Sequence, residues 1–170
     1  MKSEFPIPKW TEKHDIISFS VTSDGTTGEE WITRLEGKGF RIGDYAKSIL
    51  CSKSFKPTTG ITYEIAILKG KIFSDSKRVT KNIRKEAKNR MLSTPKTEVA
   101  CLIREKFSDK EIEAMGLFWI VTMHESIEDP DGNPSLLLAS RNGSGSWLGR
   151  EYDDSDLWHH GYGFAFVVSH

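Results

Sequence analysis

The C-terminal segment from Ser140 to Ser169 constrains the fold of this chain more than any other stretch. Between Arg141 and Gly163 nearly every residue is Gly, Ser, Asn, Asp, His, Arg or Tyr, and Trp147 and Trp158 lie among them. The apolar run Phe164–Val168 follows directly and is typical of a buried strand. We predict that this polar, glycine-rich segment is ordered, because it contains several aromatic residues and is followed directly by a core strand. Tyr and Trp offer rigid contact area, and Ser, Gly and Asn offer adaptable hydrogen bonding, so the composition favours a binding surface over a catalytic site.

The order of the predicted elements indicates a single α+β domain, residues 1–170, with the sheet weighted toward the C-terminus. Ile17, Phe19 and Val21 alternate with polar residues and predict a half-buried strand. Residues 1–13, which contain Pro6 and Pro8, are expected to form an extended arm. Helices are predicted over residues 29–36, 42–52, 76–92, 94–107 and 108–116, and further strands over 63–68, 117–123, 135–139 and 164–168.

Composition excludes several classes of protein. The formal net charge is zero, so no overall field attracts nucleic acid or a membrane surface, and 37% hydrophobic residues exclude general disorder. The sequence contains neither a signal peptide nor an apolar run long enough to cross a bilayer. We therefore expect a soluble protein without membrane insertion, either cytoplasmic or associated with a virion. Cys51 and Cys101 are predicted to be buried free thiols in preference to a disulfide.

A basic segment lies between Lys71 and Arg90. Eight Lys or Arg residues stand there against Asp75 and Glu86, which gives a local net charge of +6. Such a face can hold phosphates through counterion release. No aromatic residue is interleaved with the basic ones, and no groove-reading motif accompanies them. A solvated surface helix is the favoured interpretation, and the alternatives are nucleic-acid binding through helix 76–92 or contact with a protein partner.

Histidine and aspartate residues are concentrated near the C-terminus. His159 and His160 follow Asp153, Asp154 and Asp156, and these residue types can supply metal ligands or a general base. Adjacent histidines on a strand point to opposite faces, so two of them rarely bind one metal. No nucleophile motif, Walker loop or HExxH motif is present. A hydrolase is the less favoured alternative, and we expect no enzyme activity, no metal and no cofactor.

A known family pattern ends the chain. The segment Arg141–Trp147 contains Gly-Ser-Trp, then come Tyr152 and Trp158, and the closing strand is Gly163–Val168. This pattern resembles the end of the C-type-lectin fold, in the form found in variable proteins of diversity-generating retroelements and in the formylglycine-generating enzyme group. The resemblance covers residues 140–169, and the helices at 29–36 and 42–52 would match the two helices of that fold. It implies a C-type-lectin-like α+β fold with an early helix pair and a C-terminal antiparallel sheet that displays a polar and aromatic surface.

The retroelement family is the closer resemblance because of the residue types present. In that family, adenines in asparagine-type codons are randomised, which excludes Trp, Glu, Lys, Gln and Met from variable positions. Between Gly149 and Tyr162 only Glu151 and Trp158 lie outside the permitted set. The resemblance thus implies a ligand-binding display protein with a variable region at 141–163 and an unidentified ligand, a protein in our interpretation. An ordinary polar loop is the plain alternative.

Other activities of the same fold are not implied. Sugar-binding lectins carry signatures that the sequence after Trp147 lacks, and neither Cys51 nor Cys101 lies where the formylglycine-generating enzymes need a reactive pair. Trp147, Trp158, Phe164 and Phe166 are expected to be framework residues. The predicted ligand-binding residues are Asn142, Ser144, Ser146, Gly149, Arg150, Tyr152, Asp153, Asp154, Ser155, Asp156, His159, His160 and Tyr162.

Overall fold

Ten strands form one mixed sheet in the computed structural model, which describes residues 8–153 and 157–169. The strands in chain order are β1 (Thr11–Lys13), β2 (Ile16–Asp24), β3 (Arg41–Ile42), β4 (Thr59–Lys69), β5 (Leu92–Ser93), β6 (Trp119–Thr122), β7 (Ile127–Glu128), β8 (Pro134–Asn142), β9 (Gly145–Tyr152) and β10 (Tyr162–Val168). The helices are α1 (Gly28–Gly37), α2 (Asp44–Leu50), α3 (Thr80–Asn89), α4 (Glu98–Lys106) and α5 (Asp109–Ala114). The described residues are therefore mixed α/β, as the sequence indicated.

The C-terminal strand lies in the middle of the sheet. The strand order is β1-β2-β4-β10-β6-β8-β9-β3, with β5 beside β10 and β7 beside β8. Strand β10 is antiparallel to β4 but parallel to β6, and β3 is parallel to β9. The predicted C-terminal antiparallel sheet is thus present only as part of a mixed sheet: β6, β8 and β9 pair antiparallel, but β10 is parallel to β6. Strands from the N-terminal half belong to the same sheet, and two of its pairings are parallel.

The direction of β10 follows from the path of the chain before it. Strand β9 ends with Tyr152 opposite Ser135, at one end of β8. Strand β10 begins with Tyr162 opposite Trp119, which lies at the other end, since β6 pairs with the later part of β8. Because β10 starts at that end, it runs parallel to β6. We call residues 157–161 the crossing segment.

Both faces of the sheet are covered. On one face, helices α1, α2, α4 and α5 contribute Trp31, Ile49, Val99 and Ile112 to the larger hydrophobic cluster. On the other face, α3 contributes Ile83 and Ala87 to a second cluster, and the crossing segment adds its tryptophan. The sheet residues of this second cluster include Leu68, Val121, Met123, Leu136, Leu138, Phe164 and Phe166. We call this side the α3 face; the candidate site lies on it.

Local sequence signals placed several boundaries correctly. Helix α5 begins at the predicted capping box, in which the Ser108 hydroxyl accepts from the Glu111 amide and the Glu111 carboxylate accepts from the Ser108 amide. The predicted strand at 17–21 is part of β2, where Ile17, Phe19 and Val21 are buried. Both cysteines are free. Cys101 is buried as predicted, but Cys51 is exposed because it follows the last turn of α2.

Three predicted helix starts and ends were wrong. Ile42 does not open a helix but pairs, together with Arg41, with β9 as β3, and α2 begins after Gly43. The third helix does not run from 76 to 92: residues 75–77 form a separate 3-10 turn, and α3 ends before Met91, which has a φ of 62° and is 76% exposed. Helix α4 begins after Thr97 in place of Thr94.

The structure describes only part of each terminus. Part of the predicted extended arm is β1, which pairs with β2, while residues 1–7 lie outside the described residues. Residues 154–156 and 170 lie outside them as well. Within the described ranges, no helix combines the length and the apolar character needed to cross a bilayer.

Candidate ligand-binding site

A cavity of about 640 Å³ lies on the α3 face, between the end of β9 and the crossing segment. This volume is in the range of typical small-molecule sites, roughly 300–1,000 Å³. The lining combines aromatic rings, histidines and carboxylates. It comprises Asp75, Arg78, Glu151, Tyr152, Leu157, Trp158, His159, His160 and Tyr162.

Trp158 fixes the crossing segment to the protein. Its side chain is only 5% exposed, and its ring contacts those of Tyr162 and Phe164 edge-on, with centroids 6.2 and 5.8 Å apart. The indole N–H donates to Thr80 Oγ1 at 3.0 Å, and the backbone N–H donates to the Arg78 carbonyl at 2.9 Å. The predicted framework role of Trp158 fits these contacts, because they hold the neighbouring histidines in place.

A continuous set of rings, which we call the aromatic wall, borders the cavity. Its members are Phe118, Trp119, His159, His160 and Tyr162. The Tyr162 ring stacks on Trp119 with centroids 4.7 Å apart and planes at 14°. His159 lies 5.4 Å from Tyr162, 5.1 Å from Phe118 and 4.4 Å from His160 between ring centroids. A smaller cavity of about 370 Å³ lies on the other side of this wall, where Arg141 completes the lining.

Gly161 allows the His159 and Phe118 rings of the aromatic wall to lie close together. A Cβ atom at this position would lie 2.7 Å from Phe118 Cδ2 and 3.0 Å from His159 Nδ1. The Gly161 amide donates to His159 Nδ1 at 2.9 Å, and its carbonyl accepts from the Phe118 amide at 2.8 Å. Any larger residue would push the histidine and the phenylalanine apart.

Arg78 lines the cavity, but its guanidinium serves the fold. The residue is 4% exposed, and it donates to the carbonyl oxygens of Gly70, Phe73 and Trp158. It also donates to Asp75 at 2.9 Å, and this bond lowers the pKa of the Asp75 carboxyl below its usual value. Its charge is therefore paired and its donors are engaged, as expected for a buried arginine.

Glu151 adds a negative charge close to the aromatic wall. Burial raises the pKa of Tyr162 above its usual value, and the Glu151 carboxylate raises it further. The Tyr162 hydroxyl therefore remains protonated and can donate a hydrogen bond. Glu151 was not among the predicted binding residues because its type is excluded from variable positions in the resembling family.

Arg150 points away from the cavity. Its guanidinium carbon lies 4.6 Å from the ring centroid of Tyr45 and 4.4 Å from that of Tyr152. Its Nη2 atom lies 3.5 Å from Oδ2 of Asp129, whose carboxylate is buried in the turn between β7 and β8. Arg150, which was predicted to contact a ligand, therefore makes its contacts within the protein.

Four other predicted residues lie at the end of β8, in the turn after it or along β9, outside the cavity. Asn142 accepts hydrogen bonds from Ser144 and from the Trp147 indole. The Ser146 hydroxyl donates to Asp109. Gly149 packs beside Ser140, whose hydroxyl would lie 3.2 Å from an added Cβ.

Asp153 is also held internally. Its backbone accepts from Thr80 and donates to the Pro134 carbonyl, and its side chain lies 3.7 Å from Arg84. The predicted residues Asp154, Ser155 and Asp156 lie outside the described residues. The cavity therefore brings together Tyr152, His159, His160 and Tyr162 from the predicted set.

Sequence reasoning missed the remaining cavity and wall residues. Phe118 and Trp119 reach the site only because β6 pairs with β10, and Asp75 and Arg78 lie about 80 positions earlier in the chain than the crossing segment. No local pattern connects these regions. Only knowledge of the strand order would have placed Trp119 beside Tyr162.

Comparison with protein-family models, with curated proteins and with solved structures found no match for this chain. What the site can do must therefore be derived from its own residues. In residues 8–153 and 157–169, no three His, Cys, Asp or Glu side chains lie close enough together to hold a metal ion. The chemistry of the cavity is that of aromatic, hydrogen-bonding and charge contacts.

The basic helix lies on the same side of the sheet. Arg84 donates to the carbonyl oxygens of Met123 and His124, and so helps to fix α3 to the end of β6. Lys77, Lys81, Lys85 and Lys88 are exposed, as are Lys71 and Arg90, which pair with Asp15 and Glu86. Arg78 and Arg84 thus help to hold the fold, whereas the lysines of the basic segment and Arg90 face solvent.

Proposed function

We propose that this protein is a ligand-binding protein and that its binding site is the cavity between β9 and the crossing segment. The observation that carries the proposal is the contrast within that segment: Trp158 is buried and hydrogen-bonded, whereas His159 and His160 on the same short stretch are exposed. A site held in this way costs little entropy to order on binding. Tyr152 and Tyr162 would be the main anchors, because aromatic residues dominate binding energy at interfaces.

A screen of a fragment library by 15N-labelled NMR tests this proposal. We expect the hits to shift the Trp158 and Trp119 indole signals and the amide signals of residues 157–162. A double variant, Tyr152→Ala with His160→Ala, should lose these hits while keeping its fold, because both side chains are exposed. Ile61→Ala is the matched control, since Ile61 is 46% exposed on β4 and does not line the cavity. Hits scattered over the surface, or hits that survive in the double variant, would contradict the proposal.

The family assignment is part of the same proposal. We infer a variable protein of a diversity-generating retroelement, with a C-type-lectin-like fold, from the resemblance of residues 140–169. Burial of Trp158, Phe164 and Phe166 supports their role as framework. Internal contacts of Ser146 and Arg150 restrict where diversity can be tolerated.

Sequencing the 3′ end of the gene across the source population tests the assignment. We expect substitutions at adenine positions within codons 141–163, beside a template repeat and a reverse-transcriptase gene. They should concentrate at the exposed codons 152, 159 and 160 and spare codons 146 and 150. An invariant segment without such neighbours would remove the retroelement interpretation and leave the cavity proposal untouched.

Nucleic-acid binding through the basic helix is the second candidate. The observation in its favour is that four lysines of this region, at positions 77, 81, 85 and 88, face solvent. Such a surface binds phosphates without reading sequence, and its affinity falls steeply with salt.

A further inference from the structure

We propose that the group bound in the cavity is a cation, namely the guanidinium of an arginine side chain that a partner protein presents. This inference rests on the proposed function, and it adds the chemistry of the ligand and the kind of partner. It combines three features of the site: the charge of the lining, the arrangement of its rings and the apolar residue at its rim.

The described lining carries more negative than positive charge. Asp75 and Glu151 are its two carboxylates, and Arg78 is its one guanidinium. Asp75 pairs with Arg78, whose further donors are engaged by carbonyl oxygens. Glu151 is thus the charge left to act on a ligand, and a charge of this sign in a partly enclosed cavity attracts cations and repels phosphates and carboxylates.

The rings around the cavity suit a planar cation. A guanidinium group stacks on aromatic faces and donates to carboxylates at the same time. The protein already contains one example of this arrangement, since Arg150 lies within 4.4 Å of the Tyr152 ring centroid, within 4.6 Å of that of Tyr45, and near the carboxylate of Asp129. The cavity contains the same kinds of group, with the rings of His160 and Tyr162 and the carboxylate of Glu151, whereas the Tyr152 ring at its edge already stacks on Arg150.

The rim of the cavity favours an arginine within a polypeptide over a free guanidinium compound. Leu157 is 56% exposed at the edge of the cavity, and Phe118 is 50% exposed at the far end of the aromatic wall. Exposed apolar side chains beside a charged pocket are suited to residues that flank the arginine in the partner chain.

NMR titrations with paired probes test the inference. N-acetyl-arginine methylamide is compared with N-acetyl-citrulline methylamide, which has nearly the same shape but no charge. The arginine probe should shift the Trp158 and Tyr162 signals saturably, and the citrulline probe should bind about tenfold more weakly. A blocked pentapeptide with the arginine between two leucines should bind more tightly than the single residue.

Two variants assign the effect to the carboxylate. Glu151→Gln keeps the shape of the side chain and should weaken binding of the arginine probe about fivefold to tenfold, without changing binding of the citrulline probe. Glu64→Gln removes an exposed carboxylate of β4 outside the cavity and should change neither. Thermal unfolding of both variants is measured alongside to confirm that the fold is kept.

The outcomes separate this inference from the function on which it rests. Equal binding of arginine and citrulline, or unchanged binding by Glu151→Gln, would overturn the cationic ligand. A pentapeptide that binds no better than the single residue would overturn the partner protein as its source. If the arginine probe leaves the cavity signals unchanged while fragments still bind there, the inference fails and the proposed function stands. If fragments fail as well, the proposed function fails.

Discussion

Acid should destabilise this protein well above the pH at which its carboxylates are protonated, because of one buried histidine. His124 is 1% exposed at the end of β6. Its Nε2 atom accepts from the Leu137 amide at 3.0 Å, so the ring is neutral with the proton on Nδ1, which donates to the Glu125 carbonyl at 2.7 Å. Burial, with a smaller contribution from the Arg84 charge, lowers the pKa of His124 from 6.5 to about 4.

The sign and size of the effect follow from the two pKa values. As the pH falls below 6.5, the unfolded chain binds a proton at this histidine and the folded protein does not, so the free energy of unfolding decreases. Because each tenfold change in proton affinity corresponds to about 1.4 kcal/mol, the full loss by pH 4 is about 3 kcal/mol. About 2 kcal/mol of it falls between pH 7 and pH 5. The pKa of the Asp24 carboxyl is lowered from 3.8 to about 2, so its stabilisation is lost only below this interval.

Urea unfolding at pH 7 and pH 5 measures this loss. The variant His124→Gln keeps an acceptor for the Leu137 amide but cannot take up a proton, so its stability should fall by about 2 kcal/mol less than that of the unmodified protein over the same interval. The control is His14→Asn, because His14 is exposed and has a φ of 52°, which asparagine tolerates. Equal pH dependence in the His124→Gln variant and the unmodified protein would refute the argument, as would a His124 imidazole that titrates at its ordinary pKa by NMR.

Three further predictions concern the framework, the site and the basic helix. Arg104→Ala should reduce the free energy of unfolding, measured in urea, by about 3 kcal/mol. The reason is that the fully buried guanidinium donates to three carbonyl oxygens and to Asp109. A loss below about 1 kcal/mol would contradict this role. Tyr152→Ala with His160→Ala should reduce the free energy of unfolding by less than about 2 kcal/mol in the same assay. His160 is exposed, and Tyr152, which is 37% exposed, loses its contact with the Arg150 guanidinium; a larger loss would show that these side chains are structural. If nucleic acid binds, charge reversal of the exposed lysines at 81, 85 and 88 should abolish the binding in a low-salt fluorescence anisotropy titration, and retained binding would exclude α3 as the contact.

Elements with a strong local signal were predictable from the sequence. Strand β2 alternates between apolar and polar residues, and its buried positions are the apolar ones. The capping box of Ser108 and Glu111 depends only on residues three apart, and it is present as predicted. Strand β6 lies within the continuous apolar run 117–123. In these cases neighbouring residues determine the structure.

Elements that depend on distant partners were not predictable. Ile42 fits the periodicity of the helix that follows, but its backbone, with that of Arg41, forms the edge strand of the sheet beside β9, more than 100 residues later. The direction of β10 depends on the end of the sheet at which this strand begins. The periodicity of the sequence carries no information about that end. The end of α3 is set by the left-handed conformation of Met91. Met91 was predicted to lie within helix 76–92, but its side chain is exposed.

The site could be predicted in part. Composition alone selected Tyr152, His159, His160 and Tyr162, which line one cavity. The same composition also selected Arg150 and Ser146, because residue type does not show which face of a strand a side chain occupies. Both side chains are engaged in internal contacts.

Amide hydrogen exchange of the free protein tests the central claim most directly, namely that the crossing segment is held in place before any ligand binds. The informative amides are those of Trp158, which donates to the Arg78 carbonyl, and of Phe118, which donates to the carbonyl of Gly161. We expect both to exchange far more slowly than in an unstructured peptide, as hydrogen-bonded amides in a stable region do. Exchange of both amides at the rate of a free peptide would show that the segment is loose, and would contradict a preformed binding site on the α3 face.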